Sequence, residues 1–187
     1  MINSAPYTDT AIWLHWLTVI LIASGFSLGT WMVDLPLIDK VRGPWYPVHK
    51  WIGITIFLFA VARLLWRVGH PAPVLPASTP IWQQRAATIS HGLLYVLLLA
   101  IPISGYLFSS AAGVSVKYFN LIPLPDLISK DRELAQALKT VHLTLNYTLL
   151  AVVVAHIAAA LKHHFIDRDD VLTRMLPAVK PKPEVSP

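Results

Sequence analysis

The amino-acid sequence predicts an all-α fold: an integral membrane four-helix bundle running up-down-up-down. Three observations carry that prediction. The 187-residue chain is 55% hydrophobic and 13% charged, where a soluble domain carries about a quarter charged residues. So small a body cannot bury that apolar excess, so lipid is the solvent for much of it. Four mostly apolar stretches, near 11–33, 49–68, 89–110 and 141–162, reach the roughly 20 residues that a spanning helix needs. Proline-rich or polar segments separate them, and an even number of alternating spans leaves both chain termini on one side.

The first stretch follows Asp9, with no Lys or Arg before it and no small-residue cleavage site after a short core. It is therefore expected to be a retained helix rather than a signal peptide. Pro36, Gly43, Pro44 and Pro47 break the chain before the second stretch, and Pro71, Pro73, Pro76 and Pro80 before the third. Pro80 suits the first position of the third helix, with 81–88 as an interfacial lead-in. The longest connection contains Pro123 and Pro125. Within it 129–139 reads as helical, because Asp131 and Glu133 fit a first turn and Leu134, Leu138 and Val141 form a stripe. The fourth helix is thus expected to begin outside the membrane. Residues 1–177 form one transmembrane domain on this reading, and the Pro- and Lys-rich 178–187 form a disordered tail.

All seven tryptophans, Trp13, Trp16, Trp31, Trp45, Trp51, Trp66 and Trp82, lie at the ends of apolar runs. That is the pattern of an interfacial belt, with stacking on a cofactor as the competing role. The absence of cysteine excludes disulfides, thiol catalysis and iron–sulfur clusters. The net charge of +5 comes from scattered basic residues without interleaved aromatics, so membrane lipid, and no nucleic acid, is the expected partner. Charge bias hardly orients the chain. Eight Lys or Arg fall on the side of the termini and seven on the other, a weak preference for termini inside.

The eight histidines carry the chemistry. Ionisable groups within spans are costly and usually functional. His142 and His156 are separated by 14 positions on the fourth helix, which returns them to within about 40° of one face and separates them by about 21 Å along the axis. One imidazole near each membrane surface suits one axial ligand for each of two stacked haems. With alternating helix directions, the start of helix two is level with the start of helix four, pairing His49 with His142. The start of helix one is level with the end of helix four, pairing His15 with His156. His91, near the start of helix three, competes with His15 for that place, or serves a structural role or a quinone site. The structural reading of all these side chains is hydrogen bonding between helices. His163 and His164 stand at a helix end, where solvated imidazoles are ordinary, and His70 lies in a proline-rich loop facing solvent.

These pieces resemble the prokaryotic cytochrome b561 family. The matching segments are IWLHW, VHKWIG, ARLLWRVGHPAP, SHGLLYVLLLAIPISGY, TVHLTLNYTLLAVVVAHIAAALKHHF and DDVLTRMLP, in order over nearly the whole chain. The resemblance implies a four-helix cytochrome with two non-covalent haem b groups in the bacterial inner membrane, both termini cytoplasmic. Its ligand pattern falls on His15 with His156 at the inner haem iron and His49 with His142 at the outer one. The sequence is also similar to the superoxide oxidase branch, which implies electrons taken from periplasmic superoxide and passed to ubiquinone near the inner haem, with His91 and His163 at the quinone site. Two alternatives stand beside this reading. One is a haem b subunit passing electrons between quinone and a separate redox protein partner. The other is a haem-free transporter or assembly protein. The spans hold no Asp or Glu, which argues against a proton pump.

Overall fold

A computed structural model describes residues 6–33 and 43–177. Its helices are α1 (Asp9–Val33), α2 (Trp45–Gly69), α3 (Ile81–Ala111) and α4 (Arg132–Lys162). All four are long and apolar enough to cross a membrane. Each contains its expected span and extends beyond it, most of all α3 and α4. The large apolar side chains that stay exposed, among them Trp13, Ile20, Leu65, Ile89 and Val154, are those that lipid would cover.

Helix ends follow local chemistry. Asp131 is the N-cap of α4, its carboxylate accepting from the amides of Glu133 (2.9 Å) and Leu134 (3.0 Å). The helix therefore starts at Arg132, three residues after the expected start. Pro80 is a cap rather than the first helical residue: its ψ of 145° is extended, and α3 begins at Ile81. Its ring fixes φ while its carbonyl takes the first helical amides, from Gln83 and Gln84.

Among the described helices, α1 packs on α2, α2 on α3 and α3 on α4, whereas α1 and α4 are not a close-packed pair. Long side chains bridge α1 and α4 instead, as in the edge-on contact of Phe26 with Tyr147, 6.2 Å between centroids. The bundle is thus tight along three seams and open along the fourth. Asp34, Asp39, Lys40 and Arg42, and the expected 178–187 tail, lie outside the described residues.

Each end of the bundle carries a small closure that hydropathy does not announce. Between α3 and α4, β1 (Lys117–Tyr118) pairs antiparallel with β2 (Ile122–Pro123). Phe119 and Asn120 turn the hairpin with φ of 49° and 59°, the left-handed pair of a primed turn. Trp51 Nε1 donates to the Lys117 carbonyl (2.8 Å), and the Tyr118 and Thr55 hydroxyls meet at 2.9 Å. The hairpin is thereby held against α2.

At the opposite end, α4 runs into a π-helical turn, His163–Asp167, and Arg168 reverses the chain at φ 54°. The segment that follows folds back across the bundle. Trp16 Nε1 donates to the Met175 carbonyl (2.7 Å), and buried Arg174 donates to the Val74 carbonyl (2.8 Å). Trp66 Nε1 donates to Thr8 Oγ1 (2.9 Å). Three of the belt tryptophans thus also tie down chain ends and loops.

Candidate functional site

Five histidines gather in two layers. The hairpin layer, at the end of the bundle carrying β1 and β2, holds His49 of α2 and His142 of α4, with ring centroids 6.4 Å apart. The terminal layer, at the end where α1 begins and α4 ends, holds His15 of α1, His91 of α3 and His156 of α4. There His15 and His156 are 6.5 Å apart, and His91 and His156 5.4 Å. These meetings require α1 and α3 to run opposite to α2 and α4, which is the expected up-down-up-down order.

The spacing has a chemical meaning. Two imidazoles bound end-on to one metal, with metal–nitrogen bonds of about 2.0 Å and ring radii of about 1.1 Å, have centroids about 6.2 Å apart. The His49–His142 and His15–His156 separations fit that figure, whereas the His91–His156 separation is too short for it. Each pair that fits joins α4 to a different helix, and one of them spans the open seam between α1 and α4.

In the hairpin layer the supporting contacts are specific. His142 Nδ1 lies 3.0 Å from the Ile101 carbonyl and 3.1 Å from Ser104 Oγ. A carbonyl only accepts, so Nδ1 carries the ring proton and Nε2 keeps its lone pair free for a metal. His49 Nδ1 is buried and makes no hydrogen bond of normal geometry, with the Gly25 backbone as the polar main-chain group acting on the ring. Glycines make room for both rings. A Cβ on Gly105 would lie 2.9 Å from His142 Cε1, and one on Gly29 would lie 3.0 Å from His49 Cε1. Across two of the three tight helix pairs, α1–α2 and α3–α4, a glycine faces the ring that the neighbouring helix presents. This donor set and these notches fit a metalloporphyrin held by two imidazoles.

The terminal layer is built differently. Arg63 Nη2 stands 3.4 Å from His15 Nδ1, longer than a normal N–H hydrogen bond. The guanidiniums of Arg63 and Arg67, one helical turn apart on α2, lie 5.5 Å and 5.9 Å from the centroid of the Tyr95 ring. His91 does not only face His156. It also lines a cavity of about 460 Å³ whose other walls include Tyr7, Arg67, Gln84, Thr88 and Tyr95. Burial pushes the Tyr7 phenol above its ordinary range, against the opposing pull of Arg67, so Tyr7 keeps its proton at neutral pH.

The remaining histidines stand apart. His163 Nδ1 is 2.6 Å from Asp169 and 3.4 Å from Asp167, and it is not among the residues lining the cavity with His91. His164 lies edge-on to Phe165. His70 stacks flat on Trp66 at 4.0 Å and stays exposed. The residues that sequence reasoning missed are Arg63, Arg67 and Tyr95. Their signal was present, since two arginines one turn apart inside an apolar run are costly enough to ask for a role.

Comparison with known proteins agrees with this architecture. The family model described as prokaryotic cytochrome b561 matches residues 6–178. Cytochrome b561 homolog 2 of Escherichia coli (strain K12) is 41% identical over 167 residues, covering 87% of this chain and 86% of that protein. Cytochrome b561 homolog 1 of the same organism is 29% identical over 190 residues, covering 93% and 98%. The protein named probable superoxide oxidase CybB of Yersinia pestis is 30% identical over 174 residues, covering 91% and 96%. The chain therefore belongs to the prokaryotic cytochrome b561 family of multi-pass membrane proteins, which bind haem b and transfer electrons.

Proposed function

We propose that this protein carries electrons across the bacterial inner membrane from superoxide on the hairpin side to ubiquinone on the terminal side, through two haem b groups. His49 and His142 hold the outer haem and His15 and His156 the inner one, and both chain termini are cytoplasmic. The observation that carries the reading is the pair of imidazole separations, 6.4 Å and 6.5 Å, one at each end of the bundle. Haem b with two imidazole ligands supplies a one-electron carrier with no open coordination position.

The chain's own residues do the rest. Ile101 and Ser104 hold the proton of His142 on Nδ1 and so aim Nε2 at the metal. Gly29 and Gly105 let the rings seat against the neighbouring helices. In the cavity beside the terminal layer, His91 and Arg67 face a space of the size that small-ligand sites occupy. Tyr7, with its proton held by burial, and His91 are the proton-bearing groups there. Reduction of a quinone takes two electrons and two protons. Two superoxide ions would supply the electrons, each leaving as dioxygen, and two protons from the inner aqueous phase would reach the quinone oxygens by way of these residues. His163 is engaged by Asp169 and takes no part in this cavity on the present reading.

A second reading, electron exchange with a separate redox protein, draws support from one feature. The hairpin leaves Phe119, Leu121 and Ile122 exposed, an apolar surface at the proposed donor end. One experiment separates the two. Purified protein in detergent receives superoxide and a short-chain ubiquinone, with no other protein present. Quinone reduction at a rate that falls when His91 is replaced by Ala supports superoxide as donor and the His91 cavity as the acceptor site. No reduction without an added redox protein supports the second reading.

A further inference from the structure

The paired rings of the two histidine layers have nearly the same spacing, 6.4 Å and 6.5 Å, and different surroundings. In the terminal layer the Arg63 guanidinium stands against the His15 ring, 3.4 Å from Nδ1. Arg67 lies one turn further on, and both guanidiniums lie near the face of Tyr95. Among the described residues, no carboxylate lies within ion-pair distance of either arginine. The groups that do face Arg63 are the phenol of Tyr95, which shares a side-chain hydrogen bond with it, the phenol of Tyr7 and the charge of Arg67. In the hairpin layer Lys50 follows His49 in the chain and likewise has no carboxylate within ion-pair distance among the described residues, but the ring partners of His142 are neutral, the Ile101 carbonyl and the Ser104 hydroxyl. One layer therefore sets a guanidinium against an imidazole ring, and the other sets neutral groups there.

A cation within a membrane span is expensive, and one kept there without a counter-ion needs a role. Hydrogen bonding to His15 does not supply it. Once Nε2 binds a metal, the neutral ring keeps its proton on Nδ1 and cannot accept from a guanidinium. Arg63 then stands beside the ring purely as a charge. An iron centre carries one more positive charge oxidised than reduced, so a fixed cation beside it disfavours the oxidised state. The low local dielectric leaves that effect weakly screened. We propose that Arg63 is a potential-setting residue: held between His15 and Tyr95, it raises the reduction potential of the terminal-layer haem above that of the hairpin-layer haem. With haem bound in both layers, that ordering would favour the electron at the terminal layer, beside the His91 cavity, with no bond made and no proton moved. Arg63 is thus a tuning residue and not an axial ligand. The proposal rests on the dihaem reading above.

The test is a spectroelectrochemical titration of purified holoprotein, with haem counted first in the unaltered chain. The terminal-layer haem is identified as the component missing from His15→Ala. Arg63→Gln, with both haems retained, is expected to shift electron partition at least tenfold away from the terminal layer, which is 59 mV for a one-electron couple. The hairpin-layer potential should hold still, and Arg63→Lys should stay near the unaltered value. An unmoved terminal potential, as a guanidinium neutralised by a haem carboxylate would give, overturns the proposal, and so does an equal shift of both haems. If Arg63→Gln sheds the terminal haem, Arg63→Lys decides: a potential near the unaltered value supports the proposal, and a lowered one overturns it. Unaltered protein with fewer than two haems refutes the dihaem reading and this proposal with it, a result distinct from two haems with an unmoved potential.

Discussion

The hairpin layer and the terminal layer show how one ring geometry can be supported in two ways. In the hairpin layer the scaffold is neutral and directional: a carbonyl and a hydroxyl on His142 Nδ1, and glycine notches behind both rings. In the terminal layer it is charged and crowded. Arg63 stands at His15, His91 presses on His156 at 5.4 Å, and a cavity opens alongside. A neutral shell fixes a ligand's tautomer and aim. A charged shell beside an open cavity suits the end where electrons stop and a second molecule enters. The lesson is that ligand count alone says little about direction; the asymmetry lies in what surrounds the ligands.

The comparison breaks most directly at the ligands. His49→Ala and His142→Ala should each remove the same haem, and His15→Ala and His156→Ala the other, as read from difference spectra of the purified variants. Loss of the terminal haem in His91→Ala, with retention in His15→Ala, would exchange the roles of those two residues. A smaller effect is expected at the notches. Gly105→Ala puts a Cβ 2.9 Å from His142 Cε1, and overpacking of this kind costs about 1–3 kcal/mol. Haem titration should show roughly tenfold to hundredfold weaker binding in the hairpin layer, with the terminal layer unchanged. Gly29→Ala should act on the same haem through His49.

Weaker still is Ser104→Ala. The Ile101 carbonyl still accepts from His142, so the loss should stay near about 1 kcal/mol and both haems should remain. Smallest is the effect of charge at the donor end. Lys50→Gln, with both haems retained, should slow superoxide oxidation, and rising ionic strength should slow the unaltered protein similarly, because exposed charges are screened beyond about 10 Å at 0.1 M salt. A rate indifferent to both would leave Lys50 as a helix-end anchor and weaken the case for superoxide as donor.

Much of the bundle was legible in the sequence because lipid imposes a simple rule: length and apolarity define a span. Helix directions followed from the number of spans, and His49, His142, His15 and His156 converge at the levels that alternation requires. What was not legible depends on contacts between segments far apart in the chain. The two-residue strands at 117–118 and 122–123 are too short to show alternation. The return of 168–177 across the bundle depends on Trp16 and Val74 far away in sequence. His163 stands one residue past α4, but the π-helical turn and the left-handed Arg168 bring Asp169 to its ring, a pairing that helical spacing does not predict. The choice between His15 and His91 was open in sequence because both lie level with His156. The ring separations, 6.5 Å for His15 and 5.4 Å for His91, support the His15 proposal, and only a folded structure provides them.

The central claim is that each layer holds its own haem. A pyridine haemochrome assay on purified protein of known concentration, paired with a reduced-minus-oxidised spectrum, tests it most directly. The account predicts two non-covalent b haems per chain, falling to one in either His142→Ala or His156→Ala. One haem per chain in the unaltered protein, or two that survive in His142→Ala, would contradict it.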